Sequence, residues 1–382
     1  MTRTKIKCVF TLGAITCLTC SVCAQKPPKS KENDPVSFEA SYIGDNVNNT
    51  TGGIRTGTSY LGMANITVGF NTETARLWKG GCFFVNVANT HGDEPSAGLI
   101  GDVQVVSNIE AGDHTFFQEL WISQKIGKTE IIAGLQDLNA EFASSEYGAL
   151  YLNSSFGILP IISNNFNASI FPLTTLGLTH KWDISEKYTW LNAIYDGSPT
   201  NFDYNPYNLK WQFNSGEGLL LISEIQRYIN IRELPGIYKL GAYTHFHIKG
   251  NITPYSPPNK LLGLYAYIDQ GIWEQEDRSA GVFVQLGYSP SEASTNNAYV
   301  GLGANYVGLL SKKGRDVIGL ACAHVAFTRN GYSETAIELT YKYLLTCHIF
   351  IQPDFQYIVN PSGTGGPLPN ALTANFRFGF NF

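Results

Sequence analysis

The chain closes on Asn375-Phe-Arg-Phe-Gly-Phe-Asn-Phe382, where every second residue is phenylalanine. Successive side chains of a strand point to opposite faces, so Phe376, Phe378, Phe380 and Phe382 share one face and Asn375, Arg377, Gly379 and Asn381 the other. A soluble sheet could use that ribbon only by burying four rings beside a free terminal carboxylate, a group that is costly to dehydrate. Hydrocarbon on one side and water on the other satisfies both faces. A transmembrane β-barrel has that division, with apolar residues outward and polar residues toward its lumen. A final strand ending in Phe also resembles the assembly signal of bacterial outer-membrane proteins, which makes these four residues the expected assembly signal.

At the other end, Arg3, Lys5 and Lys7 precede a largely apolar run from Cys8 to Thr19, and Val22-Cys23-Ala24 fits a small-residue cleavage site before Gln25. The apolar run is well short of the ~18–20 residues that cross a bilayer as a helix. Residues 1–24 therefore read as a secretory signal peptide. Its removal takes away three cations and no acids, moving the formal charge from −5 to −8. An acidic mature chain argues against a nucleic-acid partner and against a pore built for phosphate or other anions. Cys82, Cys322 and Cys347 remain, an odd and widely spaced set that predicts neither disulfides nor a zinc site. No motif calls for a cofactor.

Beyond Ala24 no apolar run approaches the length of a membrane helix, and a membrane protein without such runs must be a closed barrel. Residues 25–51 are polar at first, with Pro27, Pro28 and a charge cluster from Lys29 to Asp34, and read as a periplasmic N-terminal segment. From there, alternating segments recur between Gly, Asn, Asp and Pro clusters. Ala64, Ile66, Val68 and Phe70 oppose Asn65, Thr67 and Gly69. Leu262 and Leu264 oppose Tyr265, Tyr267 and Asp269, while Ile337 and Leu339 oppose Glu338 and Thr340. Phe355 and Tyr357 oppose Asp354 and Gln356. The fold class expected is an all-β transmembrane antiparallel barrel over residues 52–382, of about 14 to 18 strands by length. Two irregular stretches interrupt the period, Asp137 to Asn153 and Ser163 to Leu173.

Several runs are similar to the carbohydrate-selective porin (OprB-type) family. They include Ser107-Asn-Ile-Glu-Ala111, Glu119-Leu-Trp121, Ala133-Gly-Leu-Gln-Asp137 with Asn139, Glu141 and Phe142, and Leu152-Asn-Ser-Ser-Phe-Gly157. Further matches are Ala193-Ile-Tyr-Asp-Gly197, Glu224, Asp269-Gln270, Arg315-Asp316, Glu334, Glu338-Leu-Thr-Tyr341 and Pro353-Asp354 with Gln356-Tyr357. The resemblance covers about residues 52–382. It implies a 16-stranded barrel in the bacterial outer membrane, through which sugars diffuse past a constriction of acidic, basic, amide and aromatic side chains.

Sugars present hydroxyls at their edges and C–H patches on their faces, so their path needs polar groups and aromatic surfaces, with weak, repeated binding. Strand parity nominates Glu119, Trp121, Gln136, Asp196, Glu224, Gln226, Glu338, Asp354, Gln356 and Arg377 for the lumen. Asp137, Asn139 and Glu141 are nominated for a constriction made by the 137–153 loop, opposite Arg315. The plain alternative for each is a wall residue that keeps the interior wet or braces it through salt bridges. His245 and His247 share a face without an evident third ligand, so a metal is not expected. The expected partners are mono- or oligosaccharides, outer-membrane lipid and the barrel-assembly machinery, with a homotrimer left open. No enzyme motif such as G-x-S-x-G occurs. A general, non-selective diffusion porin of the same fold is the competing reading.

Overall fold

The computed structural model describes residues 34–211, 218–246, 260–290, 292–311, 313–328 and 331–382. The expected signal peptide and His247 lie outside them. Sixteen strands run in sequence: β1 (Val36–Thr51), β2 (Gly57–Asn71), β3 (Gly81–Gly92), β4 (His114–Ile126), β5 (Thr129–Gln136), β6 (Thr175–Ser185), β7 (Tyr188–Asp196) and β8 (Leu219–Ile231). The second half comprises β9 (Leu234–Phe246), β10 (Lys260–Gln275), β11 (Arg278–Tyr288), β12 (Asn296–Val307), β13 (Asp316–Phe327), β14 (Ser333–Leu344), β15 (Ile349–Val359) and β16 (Ala371–Asn381). Each pairs antiparallel with its sequence neighbours, and β1 pairs with β16 to close the barrel.

Closure removes every sheet edge, which hydrocarbon requires. The outer wall carries the apolar alternation: Leu240, Leu264, Leu320, Phe355 and Phe376 are all exposed, while the intervening side chains are buried. Near the rim that holds the start of β1 and the end of β16, Phe83, Trp182, Trp190, Trp273 and Phe380 form an outward aromatic set. Trp273 stacks on Tyr306 at 5.9 Å between ring centroids. Such rings suit the boundary between lipid and water. Trp190 and Trp273 thus belong to this girdle, whereas Trp211 lies exposed on the connection after β7.

The barrel begins earlier than the sequence predicts. Residues 36–51, expected in the N-terminal segment, form β1, the longest strand together with β10. Its outward face includes Gly44, Asn46, Asn48 and Thr50 rather than a run of aliphatics, so the alternation was hidden. The two irregular stretches are parts of one connection, 137–174, which contains short helices α1 (Ser154–Gly157) and α2 (Pro160–Ser163). Among the cysteines, Cys82 and Cys322 are half-buried wall residues and Cys347 is exposed in a turn.

Candidate functional site

Connections alternate between the two rims: most of those on the rim of β1's start are tight turns, 72–80 and 308–315 being longer, and the longest of all sit at the opposite rim. Two of the longer ones fold back into the lumen. The first inner loop spans 93–113 and the second 137–174. Leu138, Phe142, Tyr151, Phe156, Leu159, Ile161 and Ile162 of the second are fully buried, in one core cluster with inward Tyr195, Tyr243, Tyr265, Tyr267, Phe283 and Tyr299. Each such side chain removed from water is worth roughly 1.5–3 kcal/mol. Inward glycines make room for the loop's rings: a Cβ at Gly281 would stand 2.1 Å from Tyr147 Cζ, and one at Gly319 2.7 Å from the Tyr151 hydroxyl.

A loop inside a barrel must still find partners for its backbone groups. The wall supplies them in two kinds. Carboxylates accept from main-chain N–H groups: Glu224 from Ala143 at 2.8 Å, Glu338 from Leu152 and Asn153 at 2.6 and 3.0 Å, and Asp269 from Tyr147 at 3.2 Å. Glu334 does the same for the first loop, accepting from Val103 and Gln104 at 3.0 Å. Amides donate to carbonyls: Gln285 to Phe156 at 2.7 Å, and Gln352 to Leu150 and Gln356 to Val106, both at 2.8 Å. Hydrogen bonds from a guanidinium to a carboxylate are the stronger sort. Asp45 accepts from Ser107 Oγ at 2.6 Å and from both Nε and Nη2 of Arg377 at 2.7 Å, and Arg377 Nη2 also donates to Asn108 Oδ1 at 2.8 Å.

Between the two inner loops lies a cavity of about 220 Å³. Its polar lining includes Gln104, Asn108, Glu110, Asp137, Asn139 and Asn164, and its apolar lining includes Ile158, Pro160, Ile170 and Phe171. Among the described residues no Lys, Arg or His lines it. Burial, with the Asp102 charge adding to it, pushes the Glu110 carboxyl up to about 8. Asp137 is pushed up to about 6 by burial, against N–H groups of Asn139, Gln118 and Phe171 that pull it down. The space therefore offers amides, hydroxyls and weakly acidic carboxyls beside an apolar surface.

The structure divides the residues nominated from sequence. Asp137 and Asn139 line the cavity. Glu224, Glu338, Asp354, Gln356 and Arg377 are buried bracing residues: Asp354 accepts from Asn375 at 2.9 Å and Gln356 at 3.2 Å, and the others hold the loops as above. Gln136 is turned into the wall, donating to the Gly177 carbonyl at 2.7 Å, and Gln226 donates to Glu224 at 2.7 Å. Glu141 is half-buried and paired with Lys181 at 3.3 Å. Glu119 is buried on the inner wall and accepts from Trp121 Nε1 at 3.1 Å. Asp196 ends β7 at the loop rim, beside a smaller cavity. Arg315 does not stand opposite the second loop; it is exposed in the turn between β12 and β13, on the far rim. Its parity was never constrained, because a turn residue has no strand face. His245 is buried and stacks on Phe166 at 4.9 Å, and no group of three metal-ligating side chains occurs among the described residues.

Sequence reasoning did not find Gln104, Asn108, Glu110, Asn164 or Phe171. A signal was available: the second loop is rich in Leu, Ile and Phe, and an apolar loop must be buried somewhere.

The model of the family described as "Carbohydrate-selective porin, OprB family" matches residues 55–382. Among solved structures, the high-pH structure of Pseudomonas putida OprB is similar at a TM-score of 0.82 and 18% identity, covering 91% of this chain and 94% of that one. The outer membrane channel DcaP of Acinetobacter baumannii gives a TM-score of 0.56 at 7% identity, with 94% and 100% covered. OmpT of Vibrio cholerae in its trimer form gives 0.52 at 8%, with 91% and 99% covered. Among curated proteins nothing matches.

Proposed function

The chain belongs to the carbohydrate-selective porin, OprB family, and from that premise we propose that it passes neutral sugars by passive diffusion through the cavity between its two inner loops. It is an outer-membrane porin of bacterial type, a channel rather than an enzyme. The observation that carries the sugar reading is the lining: amides and weakly acidic carboxyls to exchange hydrogen bonds with hydroxyls, beside Phe171, Ile158 and Ile170 to meet C–H faces. A general diffusion pore has no need of so apolar a wall on one side. Transit requires contacts weak enough to be left again, and uncharged donors and acceptors in a wet passage supply such contacts.

In this reading the loop rim faces outward and the turn rim faces the periplasm. The apolar outer wall meets lipid, and the aromatic final strand is the part that assembly machinery would engage. The constriction is built from Gln104, Asn108, Glu110, Asp137, Asn139 and Asn164. Assembly as a homotrimer is part of the proposal, supported by the trimer form of OmpT, an outer membrane protein of the same fold.

The test is liposome swelling with purified protein, comparing glucose, a disaccharide and an amino acid of glucose-like size. Faster entry of glucose than of the amino acid supports the proposal. Flux ordered by size alone replaces it with the general diffusion pore.

A further inference from the structure

The cavity between the inner loops is rich in acceptors and poor in donors and positive charge. On its lining, Asn108, Asn139 and Asn164 donate through their amides to main-chain carbonyls of the loops themselves, at 3.1 to 3.3 Å. Gln104, almost fully buried on the same lining, gives its amide to the Glu334 carbonyl at 3.4 Å, and its Oε1 has no partner. A buried acceptor left unpaired costs free energy, so a ligand here gains most by bringing donors.

Two carboxyls lie on the lining, and they differ in what already meets them. Asp137 accepts from Asn139 N at 2.9 Å, Gln118 Nε2 at 3.1 Å and Phe171 N at 3.2 Å. Glu110 is served from the start of its own loop, its two oxygens sharing the Ser96 N–H at 3.1 and 3.2 Å. An ionised carboxylate can accept about four hydrogen bonds, so Glu110 has capacity to spare.

No cation answers that carboxyl. Among the described residues no Lys, Arg or His lines the cavity, and Arg377, which reaches the lining through Asn108, is paired with Asp45. The other charged groups around the first loop are acidic: Glu334 accepts from Val103 and Gln104, and Asp102 adds to the burial that makes Glu110 hold its proton. A positive charge placed there would take the proton's place. The lining is also within reach of a solute, because Asn108, Glu110, Ser154 and Asn164 are only half-buried. The space of about 220 Å³ equals the share of roughly seven water molecules, room for one pyranose.

We infer that this cavity is a subsite for a pyranose carrying a protonated primary amine, with Glu110 as counter-ion and Gln104 Oε1 as a further acceptor. The inference rests on the proposed sugar passage and names the class of sugar that the passage holds longest. The ring's C–H face meets Ile158, Ile170 and Phe171, as for a neutral sugar, while the ammonium supplies the N–H donors and the charge that the lining lacks. A sugar acid sets a second negative charge against Glu110 and is disfavoured.

The experiment is sugar-induced block of the ion current in planar bilayers at pH 7, with the glucose swelling assay in parallel. Four probes are titrated: glucose; glucosamine, which has the size of glucose and is mostly protonated at this pH; glucuronate; and choline, a hydroxylated cation without N–H donors. Glucosamine should reach half-block at a concentration about tenfold below glucose, the effect of one hydrogen bond to a charged group. Glucuronate and choline should block more weakly than glucose. Glu110→Gln, which keeps an oxygen for the Ser96 N–H, should remove the difference between glucosamine and glucose. Glu233→Gln, in the exposed turn between β8 and β9, should preserve it. Equal half-block by glucosamine and glucose in wild type, block by choline that matches glucosamine, or a difference that survives in Glu110→Gln overturns the subsite. With selective glucose swelling retained, any of these leaves the passage of neutral sugars standing. Wild-type swelling ordered by size alone overturns both.

Discussion

Asp45 and Arg377 stand at directly paired positions of β1 and β16, across the seam that closes the barrel, with both guanidinium contacts at 2.7 Å. Both side chains are almost fully buried. Removing one partner leaves the other charge buried and unpaired, which costs about 3–5 kcal/mol. Arg377→Ala should lower the urea midpoint of the folded barrel accordingly. The double variant Asp45→Leu with Arg377→Leu should lose much less. Equal losses in the single and double variants would show that the pair has no such role.

Glu338 holds two main-chain N–H groups of the second inner loop. In Glu338→Ala both lose their acceptor, at about 1–3 kcal/mol each. The barrel should still assemble, but single-channel recordings should show a larger and noisier open current as the loop loosens. Glu338→Gln, which keeps a carbonyl oxygen in place, should fall between. A quiet current of wild-type size in Glu338→Ala would rule out the latch.

The outward rings at the end of β16 face lipid and the girdle rather than the lumen. Phe380→Ala combined with Phe382→Ala should reduce the amount of heat-modifiable barrel in the outer membrane. Permeation per folded molecule should not change. Wild-type levels of the double variant would remove the assembly role.

Permeation should also depend on pH. Glu110 carries its proton up to about pH 8 in the folded channel, against an ordinary value of 4.5. Because the folded state holds the proton longer, its contribution to seating the first inner loop is full below about 4.5 and is lost as pH rises through about 8. Over the upper part of that window the cavity gains a negative charge. The cation-to-anion permeability ratio in planar bilayers should therefore climb between pH 7 and 9, and Glu110→Gln should flatten the climb. A wild-type ratio constant over that range contradicts the assignment.

Much of the fold was legible because lipid and water impose a period of two on almost every strand, as in Leu262, Leu264, Tyr265 and Tyr267. β1 escaped because its outer face is partly polar and small. The site was less legible for a different reason. Parity identifies an inward carboxylate but not what it meets, and Glu338 meets N–H groups 185 and 186 residues away in sequence. The side chains that line the cavity sit on loops, where no periodicity reports orientation. Glu110 and Asn108 lay inside a run that resembled the family, yet nothing local indicated that it folds inward.

The inner loops are gripped largely through their peptide groups, since Glu224, Glu334 and Glu338 accept from main-chain nitrogens and Gln285, Gln352 and Gln356 donate to main-chain oxygens. A grip on the peptide is indifferent to the side chain it carries. Glu110 and Asn164, which line the cavity and bond within the loops, can accordingly be rewritten for a different solute while the wall stays untouched, whereas Ser107 and Asn108 are held by Asp45 and Arg377 through their side chains. In this barrel the mould and the filter are separate parts, and the filter is the exchangeable one.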